Sequence, residues 1–387
     1  MENSPKHIII IAGETSGDMH GAHLVKELKT LNPTLTFSGL GGPNMQQNGV
    51  TLYEDLTKLA VVGFLEILKH YGQFKKIFRN ILFQIKKSKP SAIILVDYPG
   101  FNLRLAKKIK KNKTLKDIKI IYYISPQVWA WKKKRVFDIK KYVDKMLVLF
   151  PFEKDFYTKY GVDATYVGHP LLDTIQINTP KSKFLEHQNL FDYRITLGLL
   201  PGSRQKEVEK LLPIMLGVID ILRKDFPMMQ FLIIKAPNIE QQFIERSITN
   251  PSLFIRIVEQ EGYDALNACD LCIVASGTAT LETAILQKPM IIIYKTSLIT
   301  WMLAKIFVKI PNIGLANIIA GKQIVPECIQ FQAKAPNVAE KLKSMFTNEI
   351  KLAEIKQELR KVKKILGESG ASKRAAEKIL EVLENKN

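Results

Sequence analysis

The stretch from Leu271 to Lys295 holds residue types and spacings suited to binding a nucleotide. An apolar run, Leu271 to Ala275, leads into Ser276-Gly277-Thr278-Ala279-Thr280-Leu281-Glu282. A helical segment then ends at Lys288-Pro289, and a second apolar run follows, Met290 to Tyr294. Strand, small-residue loop, helix and strand form a parallel crossover. The loop sets Gly277, the hydroxyls of Thr278 and Thr280 and free backbone N–H groups at a helix N-terminus, where a phosphate binds favourably. Glu282, one turn into the helix, repels phosphate but can accept hydrogen bonds from the two hydroxyls of a ribose. A nucleoside diphosphate lying across the loop satisfies both features. The competing reading is an ordinary Ser-capped crossover helix.

A second loop favours the nucleotide. Ile195 to Leu200 reads as a buried strand, followed by Pro201-Gly202-Ser203-Arg204 and an amphipathic helix to about residue 224. Arginine near a helix N-terminus is locally unfavourable, because that end of the dipole is already positive. An anion facing Arg204 removes the conflict, and a planar guanidinium suits a diphosphate. Arg204 as a solvated surface residue is the alternative.

Two acidic positions stand apart from these loops. Glu14 lies in Gly13-Glu14-Thr15-Ser16-Gly17-Asp18-Met19-His20-Gly21, after the apolar run Ile8 to Ile11. That loop is neither G-x-G-x-x-G nor a P-loop, since it lacks the closing Gly-Lys pair. Asp97 follows the apolar run Ala92 to Val96 and opens Asp97-Tyr98-Pro99-Gly100-Phe101-Asn102. In a doubly wound sheet the first and fourth strands are neighbours at the switch point, which brings Glu14 and Asp97 together. Helix capping alone is the alternative for both Ser16 and Asp97.

The elements that must position these residues are arranged as two α/β lobes. The first, residues 1–170, has strands near 7–12, 35–39, 92–96, 118–123 and 144–149, with helices near 17–30, 63–87, 100–111 and 151–160. A Pro-punctuated linker runs from His169-Pro170 to Pro180. The second lobe, 183–345, has strands near 195–200, 229–234, 253–257, 271–275 and 290–294. Residues 346–387 are helical by period, packing on a lobe or on a partner. The expected fold class is α/β, two doubly wound Rossmann-like lobes with C-terminal helices.

Composition fits that frame. The 387 residues are 46% apolar and 24% charged, ordinary values for two globular domains. No apolar run approaches the ~18 residues of a membrane span; Leu298 to Ile310 is interrupted by Lys305 and Lys309. With no signal-peptide pattern at the N-terminus, a cytoplasmic protein is expected. Cys269, Cys272 and Cys328 do not complete a zinc set and read as buried small hydrophobes.

The net charge of +20 is concentrated: residues 60–145 hold 22 Lys and Arg against 5 Asp and Glu. Such asymmetry signals a polyanion, either nucleic acid or an anionic membrane face. Within it, Val61, Val62, Phe64, Leu65 and Leu68 precede Lys75, Lys76 and Arg79 in a run too apolar for one buried face, resembling a helix lying on lipid. The alternative is a long core helix with a solvated basic face. Leu298 to Phe307 has the same character. No zinc finger, aromatic RNA-reading strand or helix-turn-helix accompanies the charge, so nucleic acid is not expected.

Seven stretches carry a resemblance. GETSGDMHGA from Gly13, DYPGFN from Asp97, YYISPQVWAW from Tyr122, VGHPLLD from Val167, LLPGSR from Leu199, SGTATLETAILQKPMIIIYK from Ser276 and ANIIAGKQIVPECIQ from Ala316 resemble the lipid-A-disaccharide synthases. That glycosyltransferase family has the two-lobed GT-B fold. The resemblance runs in consistent order from residue 8 to about 330. One departure is Leu315-Ala316-Asn317, where the family often has Leu-Pro-Asn.

The resemblance implies transfer of 2,3-diacylglucosamine from UDP to the 6-hydroxyl of 2,3-diacylglucosamine 1-phosphate, giving a β-1,6 disaccharide and UDP. An α-linked donor and a β product mean inversion, which calls for one carboxylate as general base and for stabilisation of the departing diphosphate. Asp97 is the expected base, with Glu14 and Ser16 positioning the acceptor. Gly202, Ser203, Arg204, the loop Ser276 to Thr280, Glu282 and Asn317 are the expected donor contacts. The chain has no D-x-D sequence, so neither metal nor cofactor is expected. Both substrates are acylated, which fits peripheral attachment to the anionic cytoplasmic face of the inner membrane; a homo-oligomer is compatible. Two other readings are a UDP-N-acetylglucosamine 2-epimerase and a non-enzymatic basic adaptor for membrane or nucleic acid.

Overall fold

Runs of β-branched and aliphatic residues form the strands, and the central ones are buried end to end. The structure is a computed structural model describing residues 6–60, 71–130, 133–248, 255–259, 263–298, 301–302 and 311–384. The chain divides into two units, Met1–Asp173 with Glu368–Asn387, and Thr174–Gly367.

The first unit is built on β1 (His7–Ala12), β2 (Thr36–Gly41), β3 (Val50–Asp55), β4 (Ala92–Val96), β5 (Lys119–Tyr123), β6 (Lys145–Val148) and β7 (Ala164–Tyr166). They form one sheet in the order β3-β2-β1-β4-β5-β6-β7, with every pair parallel. Ile8 to Ala12 and Ala92 to Val96 are fully buried, as expected where helices cover both faces and polar alternation disappears. The β1–β4 register pairs Ala12 with Val96, so the residues that follow, Gly13-Glu14 and Asp97, leave the same edge side by side. The β4–β5 register pairs Val96 with Tyr123, which sets Ile124 beside Asp97.

The second unit repeats the plan with β8 (Thr196–Leu200), β9 (Gln230–Lys235), β10 (Ile255–Glu259), β11 (Leu271–Ala275), β12 (Met290–Tyr294) and β13 (Glu327–Ile329). The order is β10-β9-β8-β11-β12-β13, again all parallel. The strand order reverses between β8 and β11, whose C-terminal ends run into the 201–204 and 276–280 loops.

The basic run divides at the limit of the described residues. Of residues 61–88, the described part is the helix Tyr71–Ser88. There Ile77, Ile81 and Ile85, four residues apart, are buried in the core with Ile9, Ile93 and Phe101. Lys75, Lys76 and Arg79 are exposed on the other side. The expectation that this run is too apolar for one buried face is therefore corrected for residues 71–88, which are amphipathic and core-packed. Val61, Val62, Phe64, Leu65 and Leu68 lie outside the described residues.

The C-terminal residues serve both units. The helix Glu349–Ile365 packs on the helices Thr278–Ile285 and Leu315–Ala320, and the helix Ala371–Glu384 packs on Thr15–Leu31 in the first unit. Both ends of that last helix are fastened. The Asp173 carboxylate accepts from the backbone N–H groups of Gly370, Ala371 (3.3 Å) and Ser372 (3.2 Å), and Lys6 Nζ donates to the Leu383 carbonyl at 2.9 Å. A carboxylate at the N-terminus and an ammonium at the C-terminus both complement the helix dipole.

Candidate active site

At the β1 and β4 edge the backbone is strained. Asp97 (φ 44°) and Tyr98 (φ 48°) are both left-handed without being glycine, and Ile124 at the adjoining end of β5 has φ 66°. Such conformations cost energy and persist only when neighbours enforce them. The enforcement is visible around Asp97. Its carbonyl accepts from the Tyr122 hydroxyl at 2.5 Å and from Asn102 Nδ2 at 2.7 Å, and its N–H donates to the Tyr123 carbonyl at 3.1 Å. Asn102 Nδ2 also donates to the Val96 carbonyl at 3.2 Å. The backbone of Asp97 is held on three sides, and its carboxylate is left for other work.

That carboxylate is pushed up to about 7, first by burial and second by the negative charge of Glu14, partly offset by the Tyr98 N–H. The two acids therefore meet, as the strand order predicts. Asp97 does not cap the helix Pro99–Lys110, because Tyr98 occupies that position. Ser16 lies inside the helix Thr15–Leu31, whose N-cap is Glu14, so the capping alternative holds for neither residue. Glu14 and Ser16 are exposed at the helix start. Gly13 is required by close approach: a Cβ there falls 2.2 Å from the Tyr98 ring. Asp18 from the same loop is buried, and its carboxylate accepts from Gly42 N (2.8 Å), Asn44 N (3.0 Å), Asn44 Nδ2 (2.9 Å) and Met45 N (3.0 Å). It caps the short helix Pro43–Gln47 and is fully occupied there.

The second unit shows a different construction. Gly202 has φ 116°, and a Cβ on it would stand 2.9 Å from Glu207 Oε2 and 3.6 Å from Ala275 Cβ, so the loops after β8 and β11 meet at this point. Arg204 sits at the N-cap of the helix Gln205–Asp225. Its side chain is 73% exposed and 3.6 Å from Glu207 Oε1, a surface pairing that is worth little and readily exchanged. The Ser203 carbonyl accepts from Asn238 Nδ2 at 2.6 Å. Gly277 and Thr278 are exposed, and the helix Thr278–Ile285 begins there with its first N–H groups uncapped by any side chain.

Two expected donor contacts are used internally instead. The Thr280 side chain is buried; its hydroxyl donates to the Gly277 carbonyl at 2.8 Å and accepts from Leu315 N at 3.3 Å. It shapes the loop and is not offered to a phosphate. Asn317 is likewise fully buried. Its Nδ2 donates to the Val325 carbonyl (2.9 Å) and Glu327 Oε1 (2.8 Å), and its Oδ1 accepts from Ile324 N (2.9 Å) and Val325 N (3.0 Å). No capacity remains for a donor contact. Ser276 Oγ donates to the Ile313 carbonyl at 3.4 Å, and the Ala279 carbonyl accepts from Thr283 Oγ1 at 2.7 Å. Glu282 is oriented by Tyr263, whose hydroxyl is pushed up to about 12 by burial and then by the Glu282 charge.

Sequence reasoning missed Tyr122, Asn102 and Tyr263. Asn102 carried a signal, since it lies among Phe101, Leu105, Ala106 and Ile109 on the buried side of its helix. Tyr122 reads as one more apolar residue of a buried strand.

Residues 8–382 match the family model described as lipid-A-disaccharide synthetase. The lipid-A-disaccharide synthase of Geobacter sulfurreducens is 39% identical over 99% of this chain and 98% of its own, and lipid-A-disaccharide synthase 1 of Legionella pneumophila is 40% identical over 98% of each. Among solved structures, UDP-GlcNAc 2-epimerase from Neisseria meningitidis, bound to UDP-GlcNAc, superposes with a TM-score of 0.64 at 14% identity, covering 97% of this chain and 100% of the other. That likeness shows the two-lobed fold alone. A family match across nearly the whole chain, with Asp97 and Arg204 at the switch points of two parallel sheets, establishes that this chain belongs to the lipid-A-disaccharide synthase family.

Proposed function

We propose that the chain moves a 2,3-diacylglucosaminyl group from UDP to the 6-hydroxyl of 2,3-diacylglucosamine 1-phosphate with inversion at the anomeric carbon, and that Asp97 is the base. The observation that carries the assignment is the Asp97 carboxylate, raised to about 7 beside Glu14, on a backbone that Tyr122 and Asn102 hold through the Asp97 carbonyl. A base near the working pH combines a sizeable ionised fraction with real proton affinity. Asp97 takes the proton of the 6-hydroxyl as that oxygen bonds to the anomeric carbon; the bond to the diphosphate oxygen breaks, and UDP leaves with the electron pair. Glu14 and Ser16, exposed at the helix start, position the acceptor. Arg204 and the N–H groups at Thr278 neutralise the departing charge, with Gly202 and Ser203 shaping the approach and Glu282 receiving the ribose.

Acylated substrates bring the enzyme to a bilayer. Among the described residues no helix is long and apolar enough to cross one. Lys75, Lys76 and Arg79, exposed beside Phe83 at 61% exposure, suit an anionic lipid surface at the cytoplasmic face. The deciding assay is UDP release from UDP-diacylglucosamine, with and without the acylated acceptor. Release that depends on the acceptor supports the reading. Epimerisation of soluble UDP-N-acetylglucosamine with no acceptor-dependent release overturns it.

A further inference from the structure

The loop after β5, Ile124 to Ala130, is built more rigidly than its length requires. It begins with Ile124, a β-branched residue held at φ 66° directly beside the left-handed Asp97 and Tyr98. Trp129 Nε1 donates to Glu153 Oε1 at 3.1 Å, from the loop to the first turn of the helix Pro151–Lys159. The other carboxylate oxygen of Glu153 accepts from Leu149 N and Phe150 N, both at 3.2 Å. The Ser125 hydroxyl shares a 2.8 Å hydrogen bond with that of Tyr157. Trp129 stands edge-on to Phe152, ring centres 5.0 Å apart, and Phe152 stacks on Phe150. Glu153 is buried and raised to about 7 by desolvation, so a carboxylate is kept here at a cost to stability. In the middle of this braced loop, Gln127 alone is exposed among Ser125, Pro126, Val128 and Ala130.

We propose that the loop forms part of the acceptor site, with the Gln127 amide hydrogen-bonding a hydroxyl of the acceptor sugar, and that Glu153 and Trp129 are the positioning pair that holds it. This rests on the assignment of the Asp97 edge as the acceptor side. An amide offers both donor and acceptor, which matches a sugar hydroxyl. Strain at three residues on adjoining strand ends marks the edge as one where geometry is fixed for function.

The test is steady-state kinetics on the full chain, varying acceptor and donor separately. Gln127→Ala is expected to raise the acceptor KM about tenfold, the worth of one hydrogen bond, with the donor KM unchanged and kcat within about threefold. Glu153→Gln places an NH2 against an N–H donor and loosens the loop, so it should raise the acceptor KM in the same selective way. Trp129→Phe, which keeps an aromatic ring near Phe152 but loses Nε1–H together with part of the indole, should do so too. If both act through their shared hydrogen bond, the double variant is no worse than Glu153→Gln. Should Glu153→Gln fail to fold, Trp129→Phe carries the test. An unchanged acceptor KM in Gln127→Ala, or equal rises in both KM values, overturns the proposal. Asp97→Asn run in parallel separates the two failures: if it remains active, the reading of the edge has failed instead.

Discussion

The two switch points are built from the same sheet geometry and treated in opposite ways. At the first, a carboxylate is partly buried, raised to about 7 and locked through its backbone by Tyr122 and Asn102. At the second, Arg204 is largely exposed and loosely paired, and Gly277 and Thr278 present backbone in the open. The difference fits the tasks proposed for them. A base gains proton affinity by losing water, and a partly dry carboxylate must be held or it turns outward. An anion site gains from donors already aimed and from a cation that can swing from Glu207 to a ligand. On the proposed reading, one edge draws on desolvation and the other on availability.

Removing each centrepiece tests that contrast. Asp97→Asn is expected to cut turnover 10²–10⁴-fold while UDP affinity, by calorimetry, stays the same. Its stability should move the other way. Asp97 is raised from 3.8 to about 7, so the folded chain keeps a proton the unfolded chain has lost, and wild-type stability falls as pH rises through that window. At pH 8 the Asn variant should therefore melt no lower than the wild type. A clear loss of melting temperature would make Asp97 a structural acid. Arg204→Ala should cost about 10²-fold in turnover and weaken UDP binding with it, since one charge serves bound and departing diphosphate. EDTA should leave the rate unchanged; a metal requirement would remove the case for Arg204 as the principal counter-charge.

Smaller effects sharpen the comparison. In the wild type, kcat/KM should rise with pH up to about 7 and then level, tracking ionisation of Asp97. Glu14→Gln removes the second cause of the shift, so the acidic limb should move to lower pH by less than the part due to burial. A limb that does not move would mean Glu14 acts only by contact. Changing Lys75, Lys76 and Arg79 to serine should weaken binding to anionic vesicles by about 1 kcal/mol per residue and reduce its salt dependence. It should leave turnover of detergent-dispersed substrates alone. An equal loss in both assays would place these residues in substrate binding rather than at the bilayer.

Much of this was legible in the sequence, for identifiable reasons. Central strands such as Ile8 to Ile11 and Ala92 to Val96 announce themselves because burial on both faces removes polar alternation. The meeting of Glu14 and Asp97 follows from strand adjacency alone. The strands not foreseen, β3, β7 and β13, are all at sheet edges, where one side lacks a neighbour and the apolar run is short or broken. Counting β3 is also what makes Ala92–Val96 the fourth strand. Asn317 and Thr280 misled for a different reason. A small polar residue in a loop shows its donors and acceptors in the sequence, but not whether Val325, Glu327 or Leu315 has already engaged them. The left-handed backbone at Asp97 carries no compositional mark, because no glycine stands there.

The fastening of the last helix by Asp173 and Lys6 has a consequence for the order in which the protein is made. Ala371, Ala375, Ala376 and Ile379 are buried in the first unit, against the helix Thr15–Leu31 that begins beside Glu14. On the ribosome, the first unit therefore waits with that surface uncovered while residues 174–367 are synthesised. The second unit has all its own strands by then and can fold as an insertion within an unfinished neighbour. Maturation of the Asp97 edge is thus tied to the last stretch of translation, and an incomplete chain would carry a finished second unit and a first unit still missing its closing helix.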